Sequence, residues 1–401
     1  MRKRWSLILV GIFLMLLCIC LIPYVKKMNA TFPGGVGVNI HFTGKQADID
    51  RIRDAGINMV RTDLFWSAIE KEQGVFDFNS FGYDELTSEL EKENITPYYV
   101  LDYSNTLYEE DGAFIQTEKG FKAFDRYVDE ATQRYKNKNI IWEVWNEPNI
   151  GLWKPEEYYK LLKETAKTIR ANDPSGYIVA PALAGLSEES FVWLEELFRL
   201  GALEHMDAIS VHPYRSWAPE TVAYEYDVLR ELVEKYSSKN VPIISGEWGY
   251  STENGWYDLH LSEEEQATYL VRMLLINQLE KIPISIWYGW ENDGTDESNF
   301  GLIEYDTGNP KLAYQAINAY SYLLADYQLS ERIQTNSSDD YVLKFVNDNK
   351  EEIFVIWSVG TTHEINFLSK GQVYSLFGKK LYFHDGSTLE IGQQPIYLIT
   401  K

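Results

Sequence analysis

The stretch Trp142-Glu143-Val144-Trp145-Asn146-Glu147-Pro148-Asn149 decides the fold class of this chain. It continues an apolar, β-prone run that starts at Ile140, and it ends on an amide, a carboxylate and a proline. Proline lacks the N–H that a strand ladder needs, so the strand is predicted to stop there. Glu147 is then placed at the carboxyl end of a strand, the end that carries the chemistry in an α/β barrel.

A second carboxylate follows the same pattern. Glu247 ends the run Val241-Pro242-Ile243-Ile244-Ser245-Gly246-Glu247-Trp248. Two carboxylates at the mouths of two strands are what glycosidic-bond hydrolysis requires, because one protonates the leaving oxygen and the other attacks or stabilises the anomeric carbon. A single glutamate of this kind is consistent with an ordinary solvated strand end, but the pair favours a catalytic role.

Candidate strands and amphipathic helical segments alternate eight times between residues 34 and 326. This alternation predicts parallel pairing through right-handed crossovers, and eight units fit a (β/α)8 TIM barrel better than an open sheet. The predicted strands are Val36–Phe42, Asn58–Trp66, Pro97–Ser104, Ile140–Pro148, Tyr177–Gly185, Ala208–Arg215, Pro242–Tyr250 and Pro283–Trp290.

The pattern changes near Asp326 to short strands separated by polar turns, such as Tyr341–Phe345 and Ile353–Trp357. This predicts a small all-β, sandwich-like domain. We therefore divide the chain into an N-terminal segment (1–30), a catalytic barrel (31–326) and a C-terminal β domain (327–401). The C-terminal domain is interpreted as structural support, with a sugar-binding module as the alternative.

The N-terminal segment has the pattern of a membrane or export element. Arg2, Lys3 and Arg4 precede 21 uncharged residues, 5–25, and two lysines follow. A spanning helix needs about 20 apolar residues, whereas a signal-peptide core has about 7–15. We expect an uncleaved signal anchor that spans the cell membrane once, with the catalytic domain outside. The alternative is secretion after signal cleavage.

Composition excludes several classes of function. The formal net charge is −23, which argues against nucleic acid, whose phosphates demand a basic surface. The cysteines, Cys18 and Cys20, both lie in the N-terminal segment, and the six histidines show no metal-ligand spacing. We expect no metal and no cofactor. The expected partners are an oligosaccharide or polysaccharide and a membrane, and the protein is expected to be a monomer.

The motifs Trp145-Asn146-Glu147-Pro148 and Ser245-Gly246-Glu247-Trp248 resemble the acid/base and nucleophile signatures of glycoside hydrolase clan A. Over residues 34–326 the chain is most similar to families 39 and 5 of that clan, especially bacterial exopolysaccharide glycosidases. The resemblance implies a retaining barrel enzyme with Glu147 as acid/base and Glu247 as nucleophile.

Arg61 lies inside a predicted barrel strand, where an unpaired charge would be prohibitive. The resemblance supplies its partner, since clan members use this arginine to hold the nucleophile. Such a contact would keep Glu247 ionised, while Glu147, buried beside Trp145 and facing another carboxylate, would be pushed toward protonation. By the same resemblance, Asn146 binds the substrate 2-hydroxyl.

Further residues at strand ends complete the predicted site. His212 and Tyr214 resemble positions that line the sugar subsite at the scissile bond, with Tyr214 donating to Glu247. Trp290 is preferred to Trp287 as the stacking surface because it lies further out along its strand. The remaining candidates are His41 as a hydroxyl contact, Glu143 in a buried network, and Asp102 and Trp66 as substrate contacts.

The function predicted from these residues is retaining, endo-acting hydrolysis of β-linked bonds in an extracellular polysaccharide. An exo-acting β-glycosidase, such as a xylosidase, would use the same core residues. A non-catalytic glycan-binding barrel is the other alternative, although such proteins usually lose one of the two carboxylates.

Overall fold

A closed barrel of eight parallel strands forms the larger part of the molecule, with the strands adjacent in chain order. The computed structural model describes residues 32–400, except 44, 111–113, 152, 253–258 and 295–298. The predicted α/β barrel is therefore confirmed. Its strands are β1 (Gly35–Asn39), β2 (Met59–Phe65), β3 (Thr96–Asp102), β4 (Ile141–Val144), β5 (Tyr177–Ala184), β6 (Ala208–His212), β7 (Ile243–Trp248) and β8 (Ile284–Trp287).

Helices cover the outside of the barrel. In the longest ones, buried positions recur every three or four residues, as in Phe124, Tyr127, Val128 and Ala131, so one face packs on the sheet. The α-helices are α1 (Gln46–Asp54), α2 (Trp66–Ile69), α3 (Tyr83–Lys92), α4 (Glu118–Tyr135), α5 (Pro155–Asn172), α6 (Glu188–Arg199), α7 (Val222–Tyr236), α8 (Glu263–Leu279) and α9 (Leu312–Leu324).

Most of the barrel strands end earlier than the sequence pattern predicts. Strand β4 stops at Val144, four residues before Pro148, and β6 stops at His212. Trp145 and Glu147 have φ angles of 67° and 48°, a left-handed conformation that is uncommon for residues other than glycine. The chain therefore leaves the ladder before Glu147. Strained backbone of this kind clusters at functional sites.

The interior of the barrel has an apolar floor and a polar mouth. Side chains from seven strands, β2 to β8, form the floor, as expected for a filled (β/α)8 barrel. They are Met59, Tyr98, Ile141, Val179, Ala208, Ile244, Ile284 and Ile286. Buried polar groups, including Arg61 and Glu143, lie above this layer toward the carboxyl ends of the strands. The functional residues are therefore concentrated at one end of the barrel.

The C-terminal part consists of antiparallel sheets, as predicted. A six-stranded sheet has the order β14-β13-β16-β11-β10-β9, and a two-stranded sheet pairs β12 with β15. The strands are β9 (Gln328–Ile333), β10 (Asp340–Val346), β11 (Glu352–Ser358), β12 (His363–Asn366), β13 (Gly371–Tyr374), β14 (Lys380–His384), β15 (Thr388–Ile391) and β16 (Ile396–Thr400). Strands β9, β13 and β15 were not predicted, because their apolar residues are few and scattered.

The C-terminal sheet is attached to the loop that follows β6. Trp357 Nε1 donates to Glu220 Oε1 over 2.8 Å, and Glu220 also accepts from Arg272 over 2.6 Å. The architecture changes between Leu324, where α9 ends, and Gln328, where β9 begins. The exact domain boundaries stay predictions.

Among the residues that the structure describes, no helix is long and apolar enough to cross a bilayer. The predicted anchor, residues 1–30, lies outside the described residues. That prediction rests on the sequence alone.

Candidate active site

Arg61 lies at the centre of the barrel mouth and is 2 % exposed. Its Nε donates to Glu143 Oε2 over 2.8 Å, and its Nη1 donates to Glu247 Oε2 over 2.5 Å. Nη1 and Nη2 also donate to the amide oxygens of Asn39 and Asn146, over 2.9 and 2.8 Å. Burial lowers the pKa of Arg61, but the two carboxylates raise it well above its ordinary value. The guanidinium therefore holds four side chains in one cluster, and these come from β1, from β7 and from β4 with the residues just after it.

Glu143 is fully buried beneath the site. It accepts from Arg61 and also from the Tyr98 hydroxyl, over 2.7 Å. Gly246, the residue before Glu247, leaves room for this network, since a Cβ there would lie 2.1 Å from Ser210 Oγ and 3.4 Å from Glu143 Oε1. The glycine of the Ser-Gly-Glu motif is therefore required sterically, because a larger residue would collide with Ser210.

Replacing Arg61 by methionine should destabilise the protein strongly, because Glu143 would remain buried without its counter-charge. Breaking a buried pair from one side typically costs about 3–5 kcal/mol. Urea unfolding measures the loss. Arg53→Met removes an exposed, ion-paired arginine from α1 and should change stability little. Equal losses in the two variants would contradict the assignment of Arg61 to a buried ionic network.

Glu247 is held from both sides. Its Oε2 accepts from Arg61, and its Oε1 accepts from the Tyr214 hydroxyl over 2.9 Å. Burial and the neighbouring Glu247 charge raise the pKa of Tyr214 well above its ordinary value, so Tyr214 is a donor at neutral pH. The two hydrogen bonds thereby fix the orientation of the carboxylate.

Glu147 is paired with His212 on β6. His212 is fully buried, and its Nδ1 lies 2.9 Å from Glu147 Oε1. Burial raises the pKa of Glu147, but the hydrogen bond and charge of His212, with a smaller effect of Arg61, lower it below its ordinary value. Burial lowers the pKa of His212, while Glu247 and the hydrogen bond to Glu147 raise it above its ordinary value.

The prediction that the surroundings push Glu147 toward protonation is therefore wrong for this state of the protein. The lowered pKa of Glu147 and the raised pKa of His212 favour the imidazole as the group that holds a proton shared across their 2.9 Å contact. Two groups this close titrate as a pair, so the pair as a whole carries one transferable proton.

The two glutamates are close together. One oxygen of Glu147, one oxygen of Glu247 and a ring nitrogen of His212 all lie within 4.8 Å of one another. Two carboxylates and an imidazole could also bind a cation, but the Arg61 guanidinium against Glu247 places a fixed positive charge beside these ligands. The same donors are already engaged in hydrogen bonds within the protein.

A cavity of about 450 Å³ lies at the carboxyl ends of β1 and β8. Its lining includes Asn39, His41 and Tyr288. His41 is exposed, its Nε2 lies 3.4 Å from Asn39 Nδ2, and its ring centroid is 5.4 Å from that of Tyr288. His41 is thus placed where the sequence predicts it, at the mouth of the first strand.

Trp290 is placed differently from the prediction. Trp290 is one of the residues that line the cavity, but it is only 1 % exposed. Its ring forms an edge-to-face contact with the ring of Tyr314, with the two ring centroids 6.1 Å apart. The partly exposed aromatic at the end of β8 is Tyr288, whose ring contacts Tyr214 and Phe300. Tyr288, rather than Trp290, is therefore the partly exposed aromatic at this end of the cavity. Strand β8 ends at Trp287, three residues before the predicted end, and the side chain of Trp290 beyond it is buried in the core.

Two other candidates are also fully buried. Trp66 stacks on Tyr108 and donates to Glu70 over 2.6 Å, so it belongs to the packing behind β2. Asp102 is 0 % exposed and does not reach the surface. Sequence reasoning overlooked Asn39 and Tyr98, although both alternate with other inward-facing residues on their strands.

Comparison with known proteins assigns the chain to a family. Residues 26–293 match the model of the cellulase family, glycosyl hydrolase family 5. The β-xylosidase of Geobacillus stearothermophilus is 30 % identical in a segment covering 33 % of this chain and 30 % of the xylosidase. The matched segments of the curated relatives thus span about a third of their length or less.

Two solved structures share the fold over almost the whole chain. A family 39 glycoside hydrolase from the gut symbiont Bacteroides cellulosilyticus WH2 superposes with a TM-score of 0.80 at 24 % identity, covering 92 % of this chain and 81 % of that one. A family 39 β-xylosidase from Caulobacter crescentus gives a TM-score of 0.66 at 14 % identity, covering 93 % and 98 %. With its two strand-end glutamates and the family match over residues 26–293, the chain belongs to the cellulase family, glycosyl hydrolase family 5.

Proposed function

We propose that this protein is a retaining glycoside hydrolase that cleaves β-linked bonds in an extracellular polysaccharide by double displacement. The observation that carries the proposal is the pair of glutamates with oxygens within 4.8 Å and different partners. Retaining enzymes place their carboxyl groups about 5–5.5 Å apart, whereas inverting enzymes need about 6.5–9.5 Å to admit a water.

In the first step, Glu247 attacks the anomeric carbon and forms a glycosyl ester. The bond from that carbon to the glycosidic oxygen breaks, and the oxygen takes the one proton of the Glu147–His212 pair. That proton passes from His212 Nδ1 to Glu147 Oε1 across their 2.9 Å hydrogen bond and on to the leaving oxygen. In the second step, Glu147 accepts a proton from water, the water oxygen bonds to the anomeric carbon, and Glu247 departs as a carboxylate.

Stereochemistry tests this mechanism. Proton NMR of the first-formed product should show the anomer of the substrate, before mutarotation mixes the two. A 2-deoxy-2-fluoro glycoside should label Glu247 covalently, which peptide mass spectrometry detects. The opposite anomer would overturn the nucleophile assignment and the role of Arg61 with it.

The pH dependence should report the Glu147–His212 pair. In the one-proton state the proton resides on His212, whose pKa is raised, so the alkaline limb of kcat/KM marks the loss of that proton. His212→Asn removes the imidazole, so in this variant the transferable proton can be held only by Glu147. The alkaline limb should therefore move to lower pH. His363→Asn, in the C-terminal sheet, is the matched control and should leave the limb in place. A limb at unchanged or higher pH in His212→Asn would refute proton storage on the imidazole.

We further propose endo action. Two exposed apolar side chains lie in loops at the catalytic end, Ile150 (62 % exposed) after β4 and Trp217 (69 % exposed) after β6. Tyr250 lies three positions after Glu247, and its hydroxyl donates to the Trp217 carbonyl over 2.9 Å. This bond ties the Trp217 loop to the end of β7. Apolar surface outside the central cavity supports binding of more than one sugar. The β-xylosidase relative favours the exo alternative. Sizing of the first products from defined polysaccharides separates the two.

We also propose attachment to the cell membrane, with the barrel outside the cytoplasm. The support is the composition of residues 5–25 and their flanking basic residues. N-terminal sequencing of the mature protein tests it, since a start near residue 31 would show a cleaved and released enzyme.

A further inference from the structure

Asp63 lies on the same strand and the same face as Arg61. Alternate residues of a strand share a face, and two residues span about 6.6 Å, so Asp63 is displaced from Arg61 toward the barrel mouth. Asp63 is half-buried, whereas Arg61 is 2 % exposed. A carboxyl group is therefore positioned just above the arginine that holds the nucleophile.

Asp102, the last residue of β3, is its hydrogen-bonding partner. Asp102 is 0 % exposed, and within the described part of the chain neither of its oxygens accepts from an N–H group or a hydroxyl. Ionised carboxylates only accept hydrogen bonds. Two carboxyl groups that bond to each other must therefore hold a proton between them.

The surroundings place that proton on Asp102. Burial, followed by the charge of Asp63, raises the pKa of Asp102 well above its ordinary value, against the opposing effect of Arg61. The pKa of Asp63 is raised as well, because burial outweighs the opposing effects of Arg61 and of the hydrogen bond from Asp102. Asp102, whose pKa is raised well above its ordinary value, is thus the group of the two that favours the proton and donates to Asp63. Glu143, the other charged group near Asp102, further disfavours a second charge there.

Asp63 keeps acceptor capacity that the protein does not use. A carboxylate has about four lone-pair positions, and among the described residues Asp102 is the one side chain that donates to it. The charge of His41 lowers the pKa of Asp63 and that of Glu247 raises it, while Asp63 raises the pKa of Tyr288. His41 and Tyr288 both line the cavity at β1 and β8. Glu147 protonates the leaving group on the side of β4 to β6. The cavity at β1 and β8 is then the side of the sugar that forms the ester.

We propose that Asp63 binds hydroxyl groups of the sugar that becomes attached to Glu247, and that Asp102 is the positioning residue that holds Asp63 in place. The inference rests on the proposed function, because it assigns a role in the same cleft. Since Asp63 and Glu247 both contribute negative charge, the sugar is a neutral one with free hydroxyls and not a uronic acid.

Turnover of 4-nitrophenyl β-glycosides of xylose and glucose, and of their β-linked oligosaccharides, by the full chain tests Asp63. Asp63→Asn should lower kcat/KM by about 10- to 100-fold, the effect of losing a hydrogen bond to a charged group. A mono-deoxy glycoside lacking the bound hydroxyl should be cleaved equally by wild type and variant. Asp102→Leu should show a similar loss, and Asp102→Asn should restore activity because the amide can donate to Asp63. Asp63→Asn within twofold of wild type would overturn the proposal.

Thermal stability tests Asp102 without any substrate. A group whose pKa is raised in the folded state adds stability at low pH and loses it as the pH rises toward the raised value. An amide does not titrate and has no such loss, so the Tm of Asp102→Asn minus that of wild type should grow from about pH 4 to pH 8. Asp348→Asn, in an exposed turn, should show a constant difference. A flat or inverted profile for Asp102→Asn would overturn the pairing. Failure of the proposed function would instead appear as a wild type that neither cleaves aryl glycosides nor is labelled at Glu247.

Discussion

Glu247→Ala should lower kcat by about 10⁴-fold or more, since no other group can form the glycosyl ester. Removing the nucleophile of a serine protease costs about 10⁶-fold, which sets the scale. The loss should be similar for good and poor leaving groups, because both substrates need the same attack on the anomeric carbon. Stopped assays with high enzyme concentration measure the residual rate.

Rescue by azide tests whether Glu247 is the nucleophile. In Glu247→Ala the vacated space admits azide on the face opposite the leaving group, so the product should be the glycosyl azide of inverted configuration. The fold should persist, because Arg61 keeps its bonds to Glu143, Asn39 and Asn146. Glu364→Gln on the exposed β12 strand is the matched control and should retain full activity. A rescued product of retained configuration would assign the nucleophile elsewhere.

Glu147→Gln should lower kcat/KM on unactivated oligosaccharides by about 10²–10⁴-fold, the usual contribution of general acid–base catalysis. The amide keeps the shape of the side chain but cannot pass the proton of His212 to the glycosidic oxygen. Aryl glycosides with acidic leaving groups need no protonation, so their cleavage should be affected much less. Rates measured across a series of phenols of different pKa test this.

Glu147→Ala with azide complements this comparison. Azide should here attack the glycosyl ester, and the product should be the azide of retained configuration. Equal losses on good and poor leaving groups, together with an inverted azide, would contradict the acid/base assignment. The two glutamate variants thus predict opposite stereochemical outcomes from one reagent.

Several features of the site follow from local pattern. Glu147 and Glu247 each terminate an apolar run, and in a barrel all strand ends converge on one mouth, so their proximity needed no knowledge of packing. Arg61 within an apolar strand required a buried partner for reasons of solvation alone. The identity of one partner, Glu247, came from the resemblance of the two motifs to clan A. The second, Glu143, is visible only in the folded barrel.

Other features depended on where each strand stopped. The apolar run through Trp290 reads as one long strand, but β8 ends at Trp287, and this early turn buries Trp290 and leaves Tyr288 at the cavity. Periodicity cannot detect such an end, because the residues that leave the ladder are as apolar as those within it.

By itself the sequence determined the barrel, the all-β C-terminal part and the two carboxylates, since these depend on hydrophobic period and chain order. Tertiary structure decided the protonation pattern. His212, 65 positions away along the chain, lowers the pKa of Glu147, whereas burial and the charge of Asp63 raise the pKa of Asp102. Solvation and charge act through space over a few ångströms, so the state of a carboxyl group is set by neighbours that only folding brings within reach.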